Sequence, residues 1–238
     1  MAQFEMTPQS SFAQVAVRTP ERVTAFLRKV YGWMCVGLGV TAVVALGVAS
    51  SPTLIQAIFG NKILFFGLII AEIGLVFYLS ARVNKLAPAT ASGLFLLYSA
   101  LNGATLAVIL LAFTGTSIAT TFFVTAGMFG ALALYGSTTK RSLAGVGQFA
   151  FMGLIGLILA SLVGLFVHSA GLQFVISVVG VIVFTALTAW DAQKLKAMAV
   201  AVPEGQVGSY AVVGALALYL DFINLFLFLL RFMGGRRD

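Results

Sequence analysis

The sequence predicts an all-α integral membrane protein, a single bundle of seven transmembrane helices with no soluble domain. Three observations predict it. Hydrophobic residues make up 61% of the 238 and charged residues only 9%, where a soluble domain carries about 25% charged, and the mean hydropathy is +1.07. The apolar residues fall in separate runs, each long enough to cross a bilayer as a helix, and not in the alternating segments of about ten residues that build a membrane barrel. Pro52, Pro88 and Pro203 all fall between runs, where a missing backbone N–H breaks no helix.

Taken in order, the first 25 or so residues are polar and rich in Gln, Ser and Thr. They are expected to form a flexible cytoplasmic segment, 1–25, ahead of a seven-helix domain, 26–238. They do not read as a signal peptide, because the first apolar run begins after Lys29 and is too long for a signal core. The seven runs are about 31–50, 63–82, 90–113, 117–136, 147–168, 171–192 and 209–231. Their connections are short apart from 193–208, so the spans pack as one bundle. Small residues recur every fourth position at Ser99, Gly103 and Ala107 in the third run and at Gly156, Ala160 and Gly164 in the fifth. Such faces let membrane helices approach closely.

Lysine and arginine set the expected orientation. With the N-terminus in the cytoplasm, the inner side holds Arg18, Arg22, Arg28, Lys29, Arg82, Lys85, Lys140, Arg141, Lys194 and Lys196, and the outer loops hold only Lys62. This is the bias that orients membrane proteins. Arg231, Arg236 and Arg237 oppose it, since they lie outside if the last run crosses fully and return inside if it is re-entrant. A full crossing is expected, because the run is long and has no central Pro or Gly.

The last run, SYAVVGALALYLDFINLFLFLLRF, carries a carboxylate in its middle. A charge at mid-bilayer costs about 2.5–3.5 kcal/mol even on the mildest scale, so Asp221 is expected to face protein or water and to have a function. Gly214, Ala217, Asp221 and Asn224 share one helix face, which marks this helix as enclosed by others. Asp191, in TALTAWDAQKLK, ends the sixth run on the side where the seventh begins, so the two carboxylates are expected to meet. Such a pair titrates as a unit and responds to pH. Ionised, it suits a hard cation such as Ca²⁺, which takes oxygen ligands. Arg82 ends the second run on the same side and is a candidate latch. Glu72 lies about 15 Å deeper on that helix and is the fourth candidate for a polar path. Asn102 reads as a hydrogen-bonding link between helices.

Other functions lack their chemistry. The one histidine, His168, falls in an expected outer loop and no H-E-x-x-H motif is present, which excludes a metalloprotease of that kind. There is no phosphate loop or dinucleotide fingerprint, and the last run has no lysine for a retinal Schiff base. The single Cys35 forms no intrachain disulfide. The net charge of +7 lies in short loops, which does not describe a nucleic-acid surface. Neither an enzyme nor a bound cofactor is expected.

Four stretches carry a resemblance: GLFLLYSALNGATLAVIL, FFVTAGMFGALALYGSTTKRSL, TAWDAQKLK and ALALYLDFINLFLFLLRFMG. They resemble the Bax inhibitor-1 family, the transmembrane Bax-inhibitor-motif proteins, in its bacterial form. The resemblance implies a bundle whose C-terminal helix is central and wrapped by two three-helix layers, in a bacterial inner membrane. It also implies a pH-sensitive calcium leak gated by Asp191 and Asp221 with Arg82 as latch, and an acidic helix-two position at Glu72. The alternative it implies is a non-transporting regulator that binds a membrane protease or stress-response complex. The expected partners are therefore the lipid bilayer, calcium ions and, on the alternative, a membrane protease.

Overall fold

The computed structural model describes residues 8–167, 169–235 and 237, with side chains from Pro20 onward apart from Glu204. Residues 1–7, His168, Arg236 and the side chain of Arg18 lie outside the described residues. The elements are α1 (Pro8–Ala49), α2 (Pro52–Phe59), α3 (Lys62–Arg82), α4 (Pro88–Ala112), α5 (Gly115–Thr138), α6 (Ala144–Phe166), α7 (Ala170–Ala201) and α8 (Val207–Met233), with 3-10 turns at Val83–Lys85 and Glu204–Gln206. All but the short α2 are long and apolar enough to cross a membrane, which gives seven spans. The protein is a multi-pass, all-α membrane bundle.

The helix starts follow local chemistry. Ser51 caps α2, its Oγ accepting from Leu54 N, and Pro52 opens the first turn. Asn61 caps α3 by accepting from the backbone N–H groups of Ile63 and Leu64 at 3.0 and 3.2 Å. Pro88 opens α4, a position where its fixed φ suits a helix. The helix α2 itself, within the expected connection 51–62, was not signalled by hydropathy, since its eight residues are too few to span.

Two helices outrun their apolar cores. Helix α1 reaches back to Pro8, into residues the sequence assigns to the cytoplasmic segment. Its Phe26, Val30 and Met34, spaced along one face, are buried. Helix α7 continues past residue 192 to Ala201. The expected loop there reads AQKLKAMAVA, made of strong helix formers, and Ala192, Leu195 and Ala199 supply a buried face. Apolar length marks where a helix leaves the bilayer, not where it stops.

Hydrogen bonds tie the two ends of the bundle. At one end Ser209 Oγ donates to Leu86 O (2.6 Å), Lys196 Nζ to Ser137 O (2.7 Å), Gln193 Nε2 to Arg141 O (2.9 Å) and Arg22 to Val202 O. At the other, Thr114 N donates to Gly235 O (3.1 Å), Gly235 N to Ser117 Oγ (2.8 Å) and Arg237 N to Ala112 O (3.0 Å). The tail after α8 is therefore pinned on the α4–α5 connection, away from the basic cluster. Helix α8 runs the full length of the bundle and does not turn back.

Helix α8 is the core. Of its central window 67% is buried, while no other span exceeds 33% and α3 has 6%. It packs against α1, α4, α5 and α7, and thinly against α3, whereas α6 packs chiefly on α7. The small face of α4 works as expected. A Cβ at Gly103 would stand 2.6 Å from Thr41 O, and Ser99 and Ala107 are fully buried, so α1 and α4 meet backbone to backbone. The small face of α6 holds toward its C-terminal end, where Gly164 is buried and a Cβ on it would stand 3.2 Å from Gln173 and Ala160 packs on the core, but not at Gly156. Gly156 has open space around it, while a Cβ at Gly147 would stand 2.0 Å from the Trp190 ring. The partner on α7 is an indole that needs a glycine seat, and the four-residue spacing alone does not locate it.

Candidate functional site

Asp221 sits midway along α8 and is 5% exposed. Its Oδ2 is buried without a hydrogen-bond partner among the described residues. A buried carboxylate oxygen left without a partner costs free energy, so its retention in the most enclosed helix needs a reason. The acidic group that acts on it is Asp191 of α7 and the basic group is Lys194. The two predicted aspartates thus lie on the two helices of one packed seam, α7 and α8.

Asp191 is not free. Lys194 Nζ lies 2.8 Å from its Oδ1, one helical turn away, and the same ammonium stands 4.0 Å from the centre of the Trp190 ring. The carboxylate side chain is 14% exposed and the lysine 48%, so the pair sits at the rim of the seam with its cation toward water. Arg82, the latch expected from sequence, is not brought to this pair. It is exposed at the end of α3, and the only ion pair among the described residues is that of Lys194 with Asp191.

Glu72 is placed elsewhere. Its Oε2 accepts from Asn102 Nδ2 (3.1 Å) and its Oε1 from Thr105 Oγ1 (2.9 Å). Asn102 Oδ1 in turn accepts from Tyr219 OH (2.9 Å), which lies 2.6 Å from Thr41 Oγ1. One chain of polar groups therefore runs from α3 through α4 and α8 to α1. Tyr219 is fully buried, edge-on to both Phe95 and Tyr98 at 5.7 Å. Tyr219 and Asp221 are two residues apart, so they leave α8 on nearly opposite sides. The Glu72 network and the aspartate pair are separate sites on either side of the central helix. Asn102 is the interhelical link the sequence suggested.

Sequence reasoning overlooked Lys194 as a partner, and also Tyr219, Thr41 and Thr105. The three-residue spacing of Asp191 and Lys194 was a usable signal, since such neighbours meet on a helix. For Tyr219 the signal was weaker: Glu72 and Asn102 each needed a buried polar partner.

The aspartates can take up and release protons and can offer oxygen ligands to a cation. Among the described residues no three metal-ligating side chains converge, and Ca²⁺ takes about six to eight oxygens.

Residues 23–238 match the family described as "Inhibitor of apoptosis-promoting Bax1". The chain is 51% identical over 215 residues to the inner membrane protein YbhL of Escherichia coli (strain K12), covering 89% of this chain and 92% of that one. It is 43% identical over 223 residues to the uncharacterized protein RP147 of Rickettsia prowazekii, covering 92% of each. It is 40% identical over 216 residues to an uncharacterized membrane protein of Streptococcus pyogenes serotype M1, covering 90% of this chain and 93% of that one. With identity at this level over nearly the whole length, the chain belongs to the Bax inhibitor-1 family.

Proposed function

We propose that the protein is a pH-modulated cation leak pathway of the inner membrane, with Ca²⁺ as the permeant ion and the N-terminus in the cytoplasm. The observation that carries this reading is the buried Asp221 with an unpartnered Oδ2 against Asp191. An intramembrane carboxylate of this kind marks an ion or proton pathway by default. The basic residues gathered at the Asp191 end support the orientation.

In this reading Lys194 holds Asp191 and keeps the seam shut. Protonation of the pair alters the attraction to Lys194 and shifts the open population. Arg82, on the same end of the bundle, is the second cation available to the pair when α3 moves. Glu72 anchors α3 to α4 and stands beside the path, not in it.

The test is Ca²⁺ flux into proteoliposomes from about pH 6 to about pH 8, with Asp191→Asn and Asp221→Asn beside the wild type. Wild-type flux that changes with pH, and loses that change in both variants, supports the reading. Flux no greater than that of empty liposomes at every pH removes it. The protein is then a non-transporting regulator, and the partner to seek is a membrane protease.

A further inference from the structure

A second feature lies on the same α7–α8 seam, toward the end that carries the tail. There a cavity of about 710 Å³ has a polar side formed by Ser161 of α6, Gln173 and Ser177 of α7 and Arg231 of α8, beside Gly164, and an otherwise apolar lining. Gly164, Gln173 and Arg231 all lie within the terminal turns of their helices, so the cavity opens at that end of the bundle. Ser177, 3% exposed, is its deepest polar group on α7.

One turn below Ser177 the seam is closed by aromatic rings. The Phe228 ring lies directly on the α7 backbone, where a Cβ at Gly180 would stand 2.5 Å from ring carbons. Phe184 stacks on it, with ring centres 5.8 Å apart and planes at 25°. Both are buried. The Arg231 guanidinium stands 5.9 Å from the centre of the Phe228 ring, a distance at which a cation is held by the ring face.

The two aromatic residues are in register with the two carboxylates. Phe228 follows Asp221 by seven residues on α8, and Asp191 follows Phe184 by seven on α7. Seven residues make two turns, so each phenylalanine shares a helix face with its aspartate about 10 Å away. Along the seam the order is cavity, aromatic pair, carboxylate pair.

We propose that the cavity is a water-filled vestibule and that Phe228, stacked on Phe184 and seated on Gly180, is the constriction that separates its water from the carboxylates. An apolar constriction of this kind closes a path by excluding water. Displacing the Phe228 ring opens the seam. That the constriction gates cation flow rests on the conduction reading, whereas its role as a water barrier does not.

The experiment uses the full chain in liposomes, with Cys35, the one cysteine, replaced by alanine. Ser177→Cys places a thiol above the constriction and Thr188→Cys places one below it. A membrane-impermeant thiol reagent is added on the tail side. Ser177→Cys is expected to react with Phe228 present. Thr188→Cys is expected to be protected, and its labelling rate to rise by about tenfold or more when Phe228→Ala is added. Gly180→Ala, which pushes the ring off its seat without removing it, is expected to expose Thr188→Cys in the same way. It carries the test if Phe228→Ala does not fold.

A protected Ser177→Cys, or a Thr188→Cys rate unchanged by either substitution, overturns the proposal. Ca²⁺ flux measured on the same liposomes separates the two readings. Flux in the wild type with no change at Thr188→Cys sinks the constriction and leaves conduction standing. Exposure of Thr188→Cys without flux in any variant supports the water barrier and sinks conduction.

Discussion

Lys194 Nζ and Asp191 Oδ1 lie 2.8 Å apart on one turn of α7, so the cation nearest the carboxylate pair comes from the same helix and not from α3. A cation on the same helix can let go without any helix moving. Lys194→Gln is expected to raise Ca²⁺ flux in proteoliposomes severalfold and to weaken its response to pH. Arg82→Gln is expected to leave resting flux near wild type. A Lys194→Gln protein with wild-type flux, beside an Arg82→Gln protein with raised flux, would return the latch to α3.

Asp221 is expected to trade stability for function. Its Oδ2 is buried and unpartnered, a state that costs about 1–3 kcal/mol. Asp221→Asn removes the titratable group at the same volume. Thermal unfolding in detergent is expected to show an unchanged or higher Tm, while flux at about pH 6 and at about pH 8 becomes equal. A clear fall in Tm would mean that the carboxylate holds the fold together.

The Glu72 network is expected to behave the opposite way. Tyr219→Phe removes the donor to Asn102 Oδ1 and the contact to Thr41 Oγ1, leaving buried groups short of partners at a cost of about 1–3 kcal/mol. Its Tm should fall while the pH response of flux is kept, because the network lies on the far side of α8 from Asp221. Loss of the pH response in Tyr219→Phe would join the two sites.

Three glycines divide by what surrounds them. A Cβ at Gly136 would meet Ala189 O at 2.0 Å, and one at Gly147 would meet the Trp190 ring at the same distance, but Gly156 has nothing within 4 Å. Gly136→Ala and Gly147→Ala are expected to cost about 1–3 kcal/mol through overpacking. Gly156→Ala is expected to gain up to about 1 kcal/mol from helix propensity. Unfolding midpoints of the three variants side by side decide it.

The spans and the enclosed last helix were legible because the bilayer writes both into composition: apolar runs of fixed length, and one buried Asp221. That Asp191 and Asp221 lie on neighbouring, packed helices was legible from connectivity. The partner of Asp191 was not, because both Arg82 and Lys194 sit at the right end, and only side-chain placement chooses between them. Nor was the separation of Glu72 from the pair. Helix periodicity gives the angle of Glu72 on α3, but not which side of α8 that helix will face. The ends of α1 and α7 were misjudged for a single reason: hydropathy falls at the membrane surface while hydrogen bonding continues.

The burial of α8 has a consequence for biogenesis. This helix follows the other spans in the chain, so it reaches the membrane after them. Until it arrives, α1, α4, α5 and α7 have no common surface to close upon, and Thr41 and Asn102 wait without Tyr219. The insertion step that delivers α8 is thus also the step that completes the fold. An intermediate stalled before it would present lipid with polar groups meant for the interior.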